Sequence, residues 1–344
     1  MTQAVTIAVD AMGGDYAPRS VVDGAVRAAA EGAHLVLVGN RRQIEAEVDH
    51  LHRDSDVARR ISIEDADQVV AMEEQPLAVR KKPRASVRVC ARLVKEGRAQ
   101  AMFTAGNTGA AMIAAKTVIG TIPGVDRPAL AGVFPNRRGN TVVLDVGANV
   151  SARAAHLRQF AVMGHFFAQE IIGTPSPRVG LMSVGEEEGK GTELTREVFK
   201  VLQRTGLNFV GNVEGRDVFR GTVDVIVCDG FVGNVVLKTS ESLAGYLGSL
   251  IKRELVSTLR TRLGYWLARP ALEAFRLRTD WSEYGAAPLL GVDAGCFIGH
   301  GRSNAKAVKN AVHRAEAFHR ADLHNKIRER VAQLHAEEER LLGP

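Results

Sequence analysis

Val5-Thr6-Ile7-Ala8-Val9 runs directly into Asp10-Ala11-Met12-Gly13-Gly14-Asp15, an unbroken apolar stretch that stops in small and polar residues. A strand with one wet face alternates apolar and polar residues; a continuous run is buried on both faces, as in a parallel sheet covered by helices. The pattern returns along the chain. Ala101 to Ala105 precedes Gly106-Asn107-Thr108-Gly109, and Thr141 to Leu144 precedes Asp145-Val146-Gly147-Ala148-Asn149. Val179 to Val184 precedes Gly185-Glu186-Glu187-Glu188-Gly189-Lys190-Gly191-Thr192. Val223 to Val227 precedes Cys228-Asp229-Gly230-Phe231-Val232-Gly233-Asn234, and Cys296-Phe297-Ile298 precedes Gly299-His300-Gly301-Arg302-Ser303-Asn304.

Between these runs, Val21 to Ala30, Ala85 to Lys95, His156 to Ile172 and Leu194 to Leu202 carry apolar and charged residues at helical spacing. Strands alternating with helices give an α/β fold, a three-layer α/β/α sandwich with a mostly parallel sheet. No repeat or low-complexity linker divides the chain, so residues 1–344 read as a single α/β/α catalytic domain. Ligands of such sheets bind beyond the carboxyl ends of the strands, which places most of the polar loops on one rim.

The 344 residues are 45% hydrophobic and 24% charged, an ordinary globular balance that excludes disorder as the main state. A formal net charge of +6 favours acidic or phosphorylated partners. No basic stretch interleaved with aromatics accompanies it, so nucleic acid is not an expected partner. Cys90, Cys228 and Cys296 are far apart, which suits reduced thiols in the cytoplasm rather than a disulfide or metal framework. Met1 to Asp10 lacks the basic-then-apolar pattern of a signal peptide, and no apolar run approaches the roughly 18 residues that span a bilayer.

Residues 242–281 depart from the pattern as a helical amphipathic element. Leu243, Leu247, Ile251, Leu255, Leu259, Leu263 and Leu267 recur every four residues, with Lys252, Arg253, Arg260, Arg262 and Arg269 between them. Tyr265, Trp266, Phe275 and Trp281 add aromatics. Two readings stand: a helical hairpin packed on the sheet or on a second subunit, and a basic amphipathic element lying on a membrane surface.

The loops offer successive unhindered backbone N–H groups, often at a helix start, and so form anion sites; the same residues also make ordinary turns and caps. Side chains of Asn107, Thr108, Ser303 and Asn304 add neutral donors for phosphate oxygens. Gly185 to Thr192 is not a nucleotide P-loop, because three residues rather than four separate Gly185 from Gly189 and Gly191 follows Lys190. No dinucleotide fingerprint occurs either. Lys190 can neutralise a phosphate or a developing oxyanion. Asp10, Asp15, Asp145 and Asp229 read as caps and loop organisers in preference to metal ligands, and no metal or cofactor is expected. His300, at a strand end, can polarise a carbonyl or bridge loops. Cys228 and Cys296 read as core.

Taken together and in order, these loops resemble the PlsX-type acyl-acyl carrier protein:phosphate acyltransferases. The resemblance rests on Val9 to Pro18, Ala105 to Ala110, Leu144 to Asn149, Gly185 to Gly191, Phe209 to Asp217, Cys228 to Asn234 and His300 to Lys306, covering roughly residues 5–315. Ala85 stands where the family pattern has Ser, and Gly189 where it has Thr. The resemblance implies an isocitrate/isopropylmalate-dehydrogenase-like fold, a homodimer and peripheral attachment to the inner face of the cell membrane. It implies transfer of a fatty acyl group from acyl carrier protein to inorganic phosphate, giving acyl phosphate for phospholipid synthesis. A membrane-bound glycerol-3-phosphate acyltransferase would consume that product.

Lys190, Asp229, Asn234 and His300 are then the expected catalytic group. Asp10, Gly13, Gly14, Asn107, Thr108, Gly109, Asn149, Ser303 and Asn304 are the expected substrate-binding set. Acyl carrier proteins are acidic as a class, which assigns docking to Arg80, Lys81, Lys82, Arg84, Arg88 and Arg92, the densest basic stretch. Rival readings are a phosphotransacetylase-like enzyme using acyl-coenzyme A, a metal- and nicotinamide-dependent dehydrogenase of the same fold, and a noncatalytic membrane scaffold.

Overall fold

The structure, a computed structural model, describes residues 4–51, 55–279 and 285–342. The readings that touch Met1, Asp280 and Trp281 lie outside the described residues. Eleven strands are present among them: β1 (Thr6–Asp10), β2 (His34–Gly39), β3 (Ile61–Asp65), β4 (Ala101–Thr104), β5 (Ala129–Asn136), β6 (Gly139–Leu144), β7 (Val179–Met182), β8 (Phe209–Val213), β9 (Val225–Val227), β10 (Ala286–Leu290) and β11 (Gly295–Gly299). The helices are α1 (Arg19–Ala30), α2 (Arg41–Leu51), α3 (Ser55–Ala58), α4 (Ser86–Lys95), α5 (Thr108–Ala114), α6 (Ala154–Phe167), α7 (Glu193–Leu202), α8 (Gly230–Leu255), α9 (Leu259–Thr279), α10 (Ala305–Arg320) and α11 (Leu323–Leu342).

The strands form one sheet in the order β3-β2-β1-β4-β11-β10-β5-β6-β9-β7-β8. Continuous apolarity has the cause expected of it. Ile7 and Val9 of β1 point into one core with Leu35 and Leu37 of β2, under α1, α6, α10 and α11. Their neighbours Ala8, Val36 and Val38 point into a second core under α4, α5 and the first turns of α8. Both faces are therefore covered and the sandwich has three layers.

The expectation of a single rim is corrected by the strand directions. β3, β2, β1, β4 and β11 are mutually parallel, and β6, β9, β7 and β8 are mutually parallel. β10 and β5 between them pair antiparallel with each other and with their outer neighbours, β11 and β6. Three reversals make the two halves run in opposite directions. The loops after β1, β4 and β11 therefore leave one rim, and those after β6, β7 and β9 leave the other.

α8 connects the rims. It starts at the carboxyl end of β9, against the β6 loop, and its later turns reach His300 beyond β11. Two glycines permit the start: a β-carbon at Gly233 would lie 1.9 Å from Asp145 O, and one at Gly230 2.7 Å from Asn149 O. The helix thus packs backbone against backbone on that loop, an approach only glycine allows. From Glu241 onward α8 leaves the sheet and forms a hairpin with α9, which leaves Leu243, Leu247, Ile251, Leu259, Leu263, Trp266 and Leu267 exposed. Among the described residues, the hairpin is not packed on the sheet along these positions.

Candidate active site

Each rim is organised by one buried carboxylate. At the first, Asp10 Oδ2 accepts from Thr104 Oγ1 at 2.7 Å, and Asp10 Oδ1 from Met12 N at 3.2 Å. Ser86 also bonds this carboxylate, and Thr104 Oγ1 in turn accepts from Gly106 N at 3.0 Å. Burial pushes the Asp10 carboxyl above the usual range, against the lowering effect of these donors. Thr104 and Ser86 were not singled out from sequence, since an isolated hydroxyl at a strand end or helix start carries no distinctive signal. Gly13 lies so close to the next loop that a β-carbon would sit 2.7 Å from Gly106 N, and Gly14 adopts φ +109°. Asp15 N donates to Gly301 O at 2.8 Å, which ties the β1 loop to the β11 loop.

At the second rim, Asp145 is fully buried and gathers an entire loop. Its Oδ1 accepts from Leu130 N, Gly147 N and Ala148 N, and its Oδ2 from Asn149 N and Asn149 Nδ2. Asp229 caps α8 by accepting from Val232 N at 2.8 Å. These carboxylates act as the loop organisers and caps that the sequence suggested. Among the described residues no group of three or more His, Cys, Asp or Glu side chains is arranged to hold a metal ion.

Several expected ligand-holding side chains serve the loops themselves. Asn107 caps α5 through Oδ1 and donates from Nδ2 to the carbonyls of Ala71, Met72 and Glu74, pinning a strap across the first rim. Gly109 is required by that strap, because a β-carbon there would strike Pro76 at 2.5 Å. Thr108, half-buried at the first turn of α5, stands between them. Ser303 Oγ donates to His300 O at 2.6 Å, and Asn304 caps α10 by accepting from Ala307 N. Asn149 Nδ2 is shared between Asp145 and Pro128 O. Outward these loops expose Asp15, Tyr16, Val150, Arg302 and Asn304, with Gly14, Gly109, Gly147 and Gly301 partly exposed among them.

The charges stand at separate places. Lys190 is exposed on the loop after β7, and among the described residues no side-chain hydrogen bond or ion pair joins it to another group. A β-carbon at its neighbour Gly189 would meet nothing within 4 Å, so the family's Thr would fit there. The adjacent groove of about 650 Å³ carries Glu188, Glu193 and Glu197 against Arg196 and Lys200, a poor balance for an anion. Asn234 is exposed on α8 facing Gly147, where a β-carbon would lie 3.5 Å from its Oδ1. Lys238 and Glu241 follow on the same helix, paired at 2.9 Å, with Glu241 Oε2 3.9 Å from His300 Nε2.

His300 Nδ1 accepts from Arg302 N at 3.2 Å, so the neutral ring carries its proton on Nε2. Burial, then the charges of Lys238 and Arg302, hold its pKa below the ordinary histidine value, against Glu241 and Asp15. The ring is thus a neutral N–H donor at pH 7. Burial pushes all three thiols up, Cys296 to about 12, with Cys90 and Cys228 also far above a reactive range. None is a thiolate nucleophile at neutral pH.

The basic stretch is partly neutralised. Arg84 pairs with Asp65 and Asp67, Lys82 with Glu74, and Arg92 lies near Glu96, while Arg88 donates to the carbonyls of Val79 and Arg80. Arg80 and Lys81 remain exposed.

Comparison with known proteins gives the family and the fold. A profile described as "Fatty acid synthesis protein" matches residues 5–326. The chain is 51% identical over 308 residues to a phosphate acyltransferase of Pelotomaculum thermopropionicum, covering 89% of each chain. It is 48% identical over 329 residues to a phosphate acyltransferase of Trichlorobacter lovleyi, covering 95% of this chain and 94% of that one. Among solved structures it is similar to a phosphotransacetylase from Streptococcus pyogenes, with TM-score 0.61, 17% identity, and 93% and 95% of the two chains covered. It also resembles a 4-hydroxythreonine-4-phosphate dehydrogenase from Salmonella typhimurium, with TM-score 0.51, 15% identity, and 92% and 99% covered. These two likenesses establish the fold; the sequence relatives and the profile establish that the chain belongs to the fatty acid synthesis protein family of phosphate acyltransferases.

Proposed function

We propose that the chain moves a fatty acyl group from the thioester of acyl carrier protein to inorganic phosphate by direct attack. A phosphate oxygen adds to the thioester carbonyl, the tetrahedral intermediate expels the pantetheine sulfur, and acyl phosphate and free carrier thiol leave. Phosphate brings its own negative charge and needs no strong base, so the protein's task is positioning and charge relief. The observation that supports this reading is the set of glycine-rich loops at strand ends that open helices, beside which burial lifts the three thiols out of the thiolate range.

Lys190 is assigned to the oxyanion or phosphate charge. Asn234 is assigned to orienting a reactant, and Asp229 to fixing the helix start that carries it. His300 is assigned to donating from Nε2 to the carbonyl oxygen or to the leaving sulfur. Backbone N–H groups around Gly14 and Gly109 hold phosphate, with Gly13, whose N–H turns to Asp10, and Asp10, Asn107, Thr108, Asn149, Ser303 and Asn304 setting the loops' shape. Arg80 and Lys81 are the cations best placed to meet an acidic carrier protein, since their neighbours are already paired.

The α8–α9 hairpin is assigned to a homodimer contact and to peripheral attachment at the inner face of the cell membrane. Its exposed leucines, Trp266 at 67% exposure and interspersed arginines support that assignment. No described helix is long and apolar enough to cross a membrane. Phosphate-dependent release of free thiol from palmitoyl-acyl carrier protein, with hydroxylamine trapping acyl phosphate as hydroxamate, tests the reaction. Thiol release that requires phosphate and yields hydroxamate supports it; thiol release without phosphate, or no turnover with and without anionic vesicles, refutes it.

A further inference from the structure

Asn234, Lys238 and Glu241 occupy positions i, i+4 and i+7 of α8 and so share one face of the helix. That face is turned away from Val232 and Val236, which pack into the core. Its two ends touch opposite rims: Asn234 stands against Gly147 of the β6 loop, and Glu241 stands 3.9 Å from His300 of the β11 loop. Seven residues of helix rise by about 10 Å, so the face reaches from one rim to the other. One helix face therefore brings together what the reversed sheet directions set apart.

Lys238 lies in the middle of that span. Among the described residues its ammonium has one ion-pair partner, Glu241, at 2.9 Å, and its side chain is 52% exposed. Its charge is felt at His300 along with that of Arg302. The groups on this stretch otherwise include the carboxylates of Asp15 and Glu241, so an incoming dianion needs a cation here.

We propose that Lys238 is a phosphate-binding residue, which exchanges its contact with Glu241 for the phosphate and seats it beside His300. This inference rests on the acyl-to-phosphate reading above. An intrahelical partner suits the role, because a half-exposed i,i+3 pair holds the ammonium in place at little cost to its release. Glu241 then sets affinity: while it holds Lys238 it competes with phosphate.

The test measures KM for phosphate and KM for palmitoyl-acyl carrier protein separately, by thiol release, in wild type, Lys238→Met, Lys238→Arg and Glu241→Gln. Losing one charge-assisted contact is expected to raise the phosphate KM of Lys238→Met about 10- to 100-fold, with the carrier-protein KM unchanged. Lys238→Arg restores most of it, and Glu241→Gln lowers the phosphate KM below that of wild type. The melting temperature of all three stays near the wild-type value, because Lys238 is half-exposed and its pair with the partly exposed Glu241 is of the kind that adds little stability. A phosphate KM within twofold of wild type in Lys238→Met overturns the inference, as does an equal rise in both KM values. Failure of the wild-type enzyme to turn over with phosphate is a separate outcome and overturns the reading beneath it.

Discussion

The two rims use the same device to different ends. At each, a buried carboxylate at or just beyond a strand end collects the amides of its loop, Asp10 at one and Asp145 at the other. Asp145 accepts five hydrogen bonds from the loop and from Leu130, and α8 then packs on that loop without side chains between. Asp10 leans on two hydroxyls, and its carboxyl is held above the usual range by burial. The second rim is a rigid anchor for a helix. The first is built around glycine backbone beneath a strap. The difference teaches that Asn107, Asn304, Asp145 and Asp229 make shape, by capping helices and gathering loop amides.

Glycine substitution gives the largest contrast. Gly233→Ala forces α8 off Asp145 and displaces the Asn234–Lys238 face, so activity should fall more than 100-fold and the melting temperature should drop by several degrees. Gly189→Ala, in open space, should match wild type in both. Equal behaviour of the two would remove the backbone-packing account of α8.

The carboxylates should differ next. Asp145→Ala leaves buried amides unpaired and should cost on the order of 3–5 kcal/mol in urea unfolding. Asp10→Asn keeps the shape and an acceptor oxygen for Thr104 and removes a charge whose burial is unfavourable, so it should cost about 1–2 kcal/mol. The reverse order would show that the first rim, not the second, is the anchor.

Lys190→Ala should lower kcat about 100-fold with a nearly unchanged melting temperature, since the side chain is exposed. Near-normal turnover would remove it from the mechanism and leave the α8 face to supply the charge.

The smallest effect is on pH. Burial holds His156, His165, His300 and His324 below the ordinary histidine pKa, so each takes up its proton at lower pH in the fold than in the unfolded chain, which protonates near pH 6.5. The unfolded state therefore binds more protons in this window, and stability should fall as pH drops from 7 towards 5.5. A urea midpoint at pH 5.5 equal to or above that at pH 7 would contradict it.

Much of the fold was legible because two-sided burial writes itself as continuous apolar runs: β1, β4, β6, β7, β9 and β11 were each marked by one, with a polar loop after it. β2, β3, β5, β8 and β10 went unmarked. The cost of missing β5 and β10 was the single-rim expectation. Strand direction there is set by β10 inserting between β11 and β5, and its pairing with β5 joins residues about 160 positions apart, as in Leu289 with Leu130, which no local period announces. At the site, sequence identified the loops but could not separate an asparagine that caps from one that binds: Asn107 and Asn304 cap, while Asn234 faces outward. The helical spacing of Lys238 and Glu241 from Asn234 is readable in the sequence, but their nearness to His300 is not, because folding alone brings it about.

The most direct test of the account is isotope exchange between acyl-[carrier protein] and free labelled carrier protein. Direct attack by phosphate, with no acyl-enzyme, predicts no exchange without phosphate and rapid exchange once phosphate is added, through reversal from acyl phosphate. Exchange in the complete absence of phosphate would reveal an acylated side chain and contradict it.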